Sequence, residues 1–324
     1  MATDNRAASG PVPSGELAPV IAVLIPCYNE SRTIAGVVAG FQDQLPHAQI
    51  YVYDNNSQDA TIACATGTGA IVRREPRQGK GNVVRRMFAD IAADIYVLVD
   101  GDGTYDPCTV REMIAVLQEQ HLAMVVGRRV HDSSEAYRPG HVVGNVLFSR
   151  AVAWLFGTCL TDILSGYRVF SRAFVKSFPA SSSGFEVETE LTVHALTLSL
   201  PVAEIDTHYG IRPEGSSSKL RTYRDGIRIL RKIGSLAKNE TPLLFFSVCG
   251  TLLILASLLL AYPIIMTFVE TGLVPRFPTA ILSTGLAICA ICLYTCGMVL
   301  DTVTKGRREV KMLAYLNVSM SSRI

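Results

Sequence analysis

Two aspartates two residues apart, Asp100 and Asp102, occupy the run Val97-Leu98-Val99-Asp100-Gly101-Asp102-Gly103, where an apolar, β-branched stretch gives way to a glycine-rich turn. Paired hard oxygen ligands on such a turn suit Mg²⁺ or Mn²⁺, ions that commonly complete their shells with phosphate oxygens and water. A metal–diphosphate site is the chemistry this spacing points to, although a plain surface turn uses the same residue types. Three more polar clusters share the pattern: Pro26-Cys27-Tyr28-Asn29-Glu30, Asp54-Asn55-Asn56-Ser57-Gln58-Asp59 and Gln78-Gly79-Lys80-Gly81. Lys80 puts a cation beside a helix start, where anions are favoured. The last cluster lacks Walker A spacing, and Gly67-Thr68-Gly69 lacks the third glycine of a dinucleotide fingerprint.

Such clusters need a scaffold that brings them to one edge. Residues 20–25, ended by Pro26, predict a strand buried on both faces. A helix is expected from Ser31, read as its N-cap, to Phe41, then a strand over 49–53 ending at Asp54 and a helix near 59–67. A strand at 70–73, a helix at 82–92, a strand at 95–99 ending in Asp100 and a strand at 123–127 follow. This alternation predicts an α/β fold with a mostly parallel sheet and right-handed crossovers, whose ligands gather at the carboxyl ends of the strands. Asp54 and Asp100 both fall there. Glu186, Glu188 and Glu190 read as the acidic start of a further helix, stabilised by its dipole.

Of the 324 residues, 49% are hydrophobic and 18% charged, and the formal net charge is only +2, too balanced for a chain that coats nucleic acid. The eight cysteines show no paired metal-ligand spacing with histidine, which favours reduced thiols. The apolar residues concentrate in 243–268 and 279–300, neither of which holds a charge. As helices these runs reach about 39 and 33 Å, enough to span a bilayer. Arg224, Arg228, Arg231, Lys232 and Lys238 precede the pair, Lys305, Arg307, Arg308 and Lys311 follow it, and only Arg276 lies between. The positive-inside rule then puts both flanks in the cytoplasm. The expected organisation is a disordered tail at 1–19, a catalytic domain at 20–218, an amphipathic basic helix at 219–240, a two-helix transmembrane hairpin at 241–300 and a basic tail at 301–324. The 219–240 helix suits either an anionic leaflet or the domain's own core, and residues 142–160 form a second apolar-faced candidate. Cys289, Cys292 and Cys296 share a helix face and are expected to form small-residue packing.

The segments PCYNE, YDNNSQDAT, RQGKGN and DGDGTYDP resemble glycosyltransferase family 2 enzymes of GT-A fold. From about residue 20 onward the chain is similar to polyisoprenyl-phosphate glycosyltransferases related to dolichol-phosphate mannose synthase. The resemblance implies that Pro26, Tyr28, Glu30, Asp54, Lys80 and Asp100 line the nucleotide-sugar site and that Asp100 and Asp102 hold the metal. The run Thr161-Asp162-Ile163-Leu164-Ser165-Gly166-Tyr167-Arg168 resembles the acceptor-side motif, with Asp162 a candidate base and Ser165 bordering the donor sugar. A phosphate monoester has a second pKa of about 6 and is already a nucleophile at neutral pH, so Asp162 is open to either a basic or a positioning role. Two anions must approach one sugar carbon, which calls for positive charge around them. Arg129 and Arg212 are assigned to the phosphates and join Asp162 as the catalytic set; Arg138, Arg168 and Lys219 are assigned to the lipid phosphate.

The function implied is an inverting, metal-dependent transfer of a sugar from a UDP- or GDP-linked donor to a polyprenyl phosphate at the cytoplasmic membrane face. Association of copies through the membrane region is implied as well. No QxxRW pattern accompanies Trp154, which argues against a processive synthase. Two alternatives stand beside this reading: a membrane-tethered scaffold that binds nucleotide sugars without chemistry, and a transferase acting on a non-lipid acceptor.

Overall fold

The computed structural model describes residues 18–130, 160–180, 184, 186–210, 234–235 and 238–321. Arg138, Arg212, Lys219, residues 142–159, and most of the expected tail and of the 219–240 helix lie outside the described residues; residues 234, 235 and 238–240 of that helix are helical.

Seven strands, β1 (Ile21–Cys27), β2 (Gln49–Asp54), β3 (Ile71–Arg74), β4 (Ile95–Leu98), β5 (Met124–Val130), β6 (Arg168–Ser171) and β7 (Val202–His208), form one sheet in the order β3-β2-β1-β4-β6-β5-β7. The sheet is parallel except for β6, which runs antiparallel to both β4 and β5. Helices α1 (Ile34–Gln44), α2 (Thr61–Thr66), α3 (Lys80–Asp90), α4 (Val110–Glu119), α5 (Arg172–Ser177) and α6 (Val187–Thr197) cover its faces. Because side chains alternate across a strand, β1 sends Ala22 and Leu24 into a core shared with α3, α5 and α6, and Val23 and Ile25 into a core shared with α1 and α4. Both faces being covered explains why β1 and β4 read as unbroken apolar runs. This is the GT-A-like α/β fold the sequence predicts, with two strands, β6 and β7, added to the expected sheet. Helix α1 begins later than expected: Thr33 takes the N-cap position, and Ser31 lies in the preceding turn with its amide bonded to Asp59.

Two long helices follow, α7 (Pro242–Thr271) and α8 (Phe277–Ser321), both long and apolar enough to be candidate membrane spans. Leu259 and Val269 are 76% and 75% exposed, an arrangement that water penalises and hydrocarbon does not. The two helices meet along small residues. Ser257 Oγ donates to Ser283 O at 2.8 Å and Ser283 Oγ returns the bond to Ser257 O at 3.0 Å, while Gly250 lies against the Tyr294 ring and Ala290. Cys289, Cys292 and Cys296 are exposed and not part of this seam; Ser283 and Ala290 are buried in it and Gly297 abuts Phe246, because these smaller side chains allow closer backbone approach.

Past Leu300, where a basic tail is expected, α8 continues unbroken to Ser321. The stripe that faces α7 goes on to meet the catalytic domain: Thr304 Oγ1 donates to Asn239 O at 3.3 Å, Arg308 bonds the Glu240 carbonyl, and Met312 and Tyr315 pack on the core beneath α5. Glu240 also accepts from Thr197 Oγ1 of α6 at 3.3 Å. The hairpin and the sheet domain are therefore clamped together at the base of α7.

Candidate active site

The carboxyl ends of β1 and β2 are stapled to each other by backbone and side-chain bonds. Asn55 N donates to Cys27 O at 2.8 Å, Glu30 N to Thr61 Oγ1 at 2.8 Å, Asn29 N to Ser57 Oγ at 2.9 Å, and Gln58 N to Asn29 Oδ1 at 2.8 Å. Asp59 anchors this corner. Burial works against its charge, but bonds from Thr61 and Ser31 outweigh that and bring its pKa down to about 2. Pro26 is buried within β1, and Tyr28 and Glu30 are half-exposed at its end. Asp54 is fully buried; its Oδ2 accepts from Ser57 N at 3.1 Å, whereas its Oδ1 has no partner among the described residues. A buried carboxylate oxygen without a protein partner among the described residues suits a hydrogen-bond donor of a ligand.

Asn55 carries this corner across to α3. Its amide donates to Glu75 O and Arg77 O at 2.9 and 2.8 Å, and its Oδ1 accepts from Gly79 N at 2.6 Å. The first residue of α3 is thereby fixed, and Lys80 extends to pair with both Asp100 and Glu188. Burial alone would lower the lysine pKa; the two carboxylates more than reverse it, and Lys80 stays charged.

Asp100 and Asp102 stand on the turn after β4. Gly101 is compulsory there, since a Cβ would lie 2.6 Å from Cys27 Sγ, and its carbonyl accepts from Thr33 Oγ1 at 2.7 Å. Asp102 is buried, with Oδ1 accepting from Thr104 Oγ1 at 2.6 Å and Thr104 N at 3.2 Å. The Asp100 side chain is 29% exposed and so reachable by a ligand. Among the described residues no group of three or more His, Cys, Asp or Glu side chains has the arrangement of a metal cage. Two carboxylates on one turn instead match Mg²⁺ or Mn²⁺, which take few protein ligands and keep room for phosphate and water, so the donor set fits the expected ion.

The remaining groups come from β5, β6 and β7. Asp162 is buried and forms a bidentate pair with Arg129, Nε to Oδ2 and Nη2 to Oδ1 both at 2.7 Å, with Arg129 N adding a bond at 3.2 Å. Burial would raise the Asp162 pKa, but the guanidinium holds it below the usual carboxylate range. Arg129 also lies over the Tyr209 ring, 5.5 Å from its centroid. Its neighbour Arg128 turns instead to Asp206 on β7, Nη2 to Oδ2 at 2.7 Å.

Two expected contacts are corrected. Arg168, assigned to the lipid phosphate, is fully buried: Nε donates to Ser165 O at 2.9 Å, Nη1 to Thr192 Oγ1 at 2.9 Å, and Nη2 to Ile163 O at 2.5 Å. It shapes the 163–165 turn from beneath, and burial brings its pKa down to about 10. Ser165 is also fully buried, its hydroxyl donating to Gly127 O at 2.6 Å, so it staples the turn and its side chain does not border a sugar. Above it, the Tyr105 hydroxyl accepts from Gly166 N at 2.8 Å, and the Tyr105 and Tyr209 rings meet edge-on.

The structure thus brings Asp54, Lys80, Asp100, Asp102, Asp162 and Arg129 to one edge of the sheet. It adds Glu188, which sequence leaves undistinguished from its two neighbours; burial and the Lys80 pair single it out. Tyr105 is a further addition, and its only sequence signal is its place just beyond the paired aspartates. A mixed, mostly parallel sheet with paired carboxylates, a buried lysine and an arginine at its carboxyl edge suits a transferase that handles a metal-bound diphosphate. The profile of glycosyl transferase family 2 matches residues 22–177. The glycosyltransferase AglJ of Haloferax volcanii is 36% identical over 236 residues, 71% of this chain and 76% of its own. A dolichol-phosphate mannosyltransferase of Pyrococcus furiosus is 22% identical over 265 residues, 78% of this chain and 73% of its own. Among solved structures, glucosyl-3-phosphoglycerate synthase from Mycobacterium tuberculosis, crystallised with Mn²⁺, UDP and phosphoglyceric acid, superposes with a TM-score of 0.55 at 22% identity, covering 68% of this chain and 78% of that one. The chain belongs to glycosyltransferase family 2.

Proposed function

We propose that this glycosyltransferase moves a sugar from a nucleoside-diphosphate donor to a polyprenyl phosphate at the membrane surface. The observation that carries the reading is the clamp between the two candidate spans and the catalytic domain, made by Glu240, Thr197, Arg308, Met312 and Tyr315. A hairpin held so firmly to the sheet domain tethers that domain to the bilayer its spans would enter, where a lipid-borne acceptor is met. The similarity to a dolichol-phosphate mannosyltransferase supports the same acceptor class. Arg307 and Arg308 sit at the base that meets the catalytic domain, while the connecting loop holds only Arg276; the charge bias supports a cytoplasmic catalytic domain.

In this reading the buried Asp54 carboxylate and the 27–30 loop receive the nucleoside, and Asp100 and Asp102 hold Mg²⁺ or Mn²⁺. The ion, when bound, neutralises charge on the departing diphosphate. Lys80 keeps Asp100 and Glu188 oriented. Arg129, aligned by Asp162, presents positive charge where the acceptor phosphate meets the sugar. The bond from the anomeric carbon to the diphosphate oxygen breaks as a bond to an acceptor phosphate oxygen forms, a single displacement that inverts the anomeric configuration. The acceptor is largely dianionic at neutral pH, so no base is needed, and the low pKa of Asp162 suits a positioning role.

The test uses purified full-length protein in lipid nanodiscs with Mg²⁺ or Mn²⁺, a panel of UDP- and GDP-sugars, and undecaprenyl phosphate. Mass spectrometry is expected to find a lipid phosphodiester carrying one sugar, with nucleoside diphosphate released only when the lipid phosphate is present. Release with phosphoglyceric acid or another soluble acceptor, and none with the lipid, would refute the lipid assignment.

A further inference from the structure

The turn that carries Asp162 is pinned from beneath by Arg168 and Ser165, but the two residues on which the Asp162 backbone depends are held from elsewhere. Glu204 lies on β7, the edge strand, paired in register with Val126 of β5. Its Oε1 accepts from Thr161 N at 2.9 Å and Asp162 N at 3.0 Å, and its Oε2 accepts from Thr161 Oγ1 at 2.8 Å and Thr161 N at 3.0 Å. One carboxylate therefore takes up both consecutive amides and the intervening hydroxyl. Three residues further along the same two paired strands, Arg129 stands opposite Thr207 and grips the Asp162 carboxylate. The backbone of Asp162 is thus fixed by β7 and its side chain by β5.

We infer that Glu204 is a positioning residue for sugar transfer: it sets the orientation of Asp162, and through it the direction in which Arg129 presents its guanidinium. The inference rests on the proposed roles of Asp162 and Arg129. A charged acceptor suits this task because bonds from amides to a carboxylate are shorter and stronger than those to a neutral group. Loss of Glu204 leaves the Arg168 and Ser165 bonds to the 163–165 turn in place, so the turn survives while the Thr161 and Asp162 amides lose their shared carboxylate. A small misplacement of a phosphate-facing arginine weakens the chemical step far more than it weakens donor binding on the other side of the sheet edge.

The experiment compares full-length wild type, Glu204→Gln, Glu204→Ala and Asp162→Asn in nanodiscs with undecaprenyl phosphate and the donor that supports wild-type turnover. Transfer kinetics are read beside the affinity for UDP or GDP with Mn²⁺ and the thermal midpoint. The expected pattern is a kcat for Glu204→Ala lowered by about tenfold to a hundredfold, a smaller loss for Glu204→Gln, which keeps one acceptor oxygen, and nucleotide affinity within about twofold of wild type. Wild-type kcat in Glu204→Ala overturns the inference, as does a loss of nucleotide affinity equal to the loss of kcat. If the alanine variant does not fold, Glu204→Gln decides by the same two readings. Full turnover by Asp162→Asn would instead fault the underlying reading of Asp162, and the Glu204 assignment would fall with it.

Discussion

Replacing Gly166 by alanine should separate stability from activity. A Cβ at this position would lie 2.3 Å from Asp100 Oδ2, 2.9 Å from its Cγ and 3.1 Å from its Oδ1. Ordinary contact begins at 3.4 Å, so the carboxylate must retreat by about 1 Å. What moves is the end of one side chain, and Gly166 needs no left-handed backbone, so the folding cost is small. The activity cost is not, because Asp100 is one of the two proposed metal ligands and also the partner of Lys80. A 1 Å misplacement is worth about 10² in rate, or about 2.7 kcal/mol of barrier. Gly166→Ala is therefore expected to keep its thermal midpoint within about 2 °C of wild type, lose about a hundredfold in kcat, and need about tenfold more Mn²⁺ for half-activation. Nucleoside diphosphate release titrated with Mn²⁺, beside a melting curve, supplies both readings. A variant with wild-type rate and wild-type metal requirement would refute the assignment of Asp100 as a ligand.

Arg129→Lys keeps the charge but not the fork that holds Asp162, and is expected to lower kcat by about a hundredfold with little change in donor affinity; an equal rate in the lysine variant would remove Arg129 from the site. Lys80→Met leaves Asp100 and Glu188 facing each other without their shared cation, and should destabilise the fold by about 3–5 kcal/mol, seen as a lowered thermal midpoint; an unchanged midpoint contradicts the pairing. His194 is buried against Ser177, and burial with nearby Lys311 brings its pKa down from 6.5 to about 4. The folded state thus favours neutral imidazole, so its contribution is complete above pH 6.5 and is lost as pH falls toward 4, about 3 kcal/mol in all. The acid limb of the stability curve should flatten in His194→Gln, and an identical limb would refute this.

Strands β1, β2 and β4 are legible because each is an apolar run buried on both faces that gives way to a polar cluster. The edge strand β7 is harder to read, since Glu204, Asp206 and His208 interrupt it with side chains that hold loops or face solvent. β6 has only four residues, and nothing local marks it as the antiparallel strand between β4 and β5. That placement is why Arg168 defeated sequence reasoning. An arginine in a polar motif reads as a phosphate ligand, yet the reversal of the chain buries it under the turn it supports. The gathering of Lys80, Asp100 and Asp102 at one edge is legible because each sits in a polar cluster that closes or follows a strand. The second partner of Lys80, Glu188, is not legible that way, because Glu186, Glu188 and Glu190 differ only in which of them the helix turns inward.

The unbroken course of α8 has a consequence for how the chain can vary. One stripe of this 45-residue helix serves two partners in succession, so the angular phase of Tyr315 is locked to that of Ser283. Each added residue would turn the catalytic domain by about 100° about the helix axis and raise it by about 1.5 Å. Length changes between Thr304 and Arg308 should therefore be accepted in blocks near seven or eleven residues, which restore the azimuth, and rejected as single insertions. The helix acts as a keyed shaft, setting both the axial offset and the azimuth of the sheet domain relative to the hairpin.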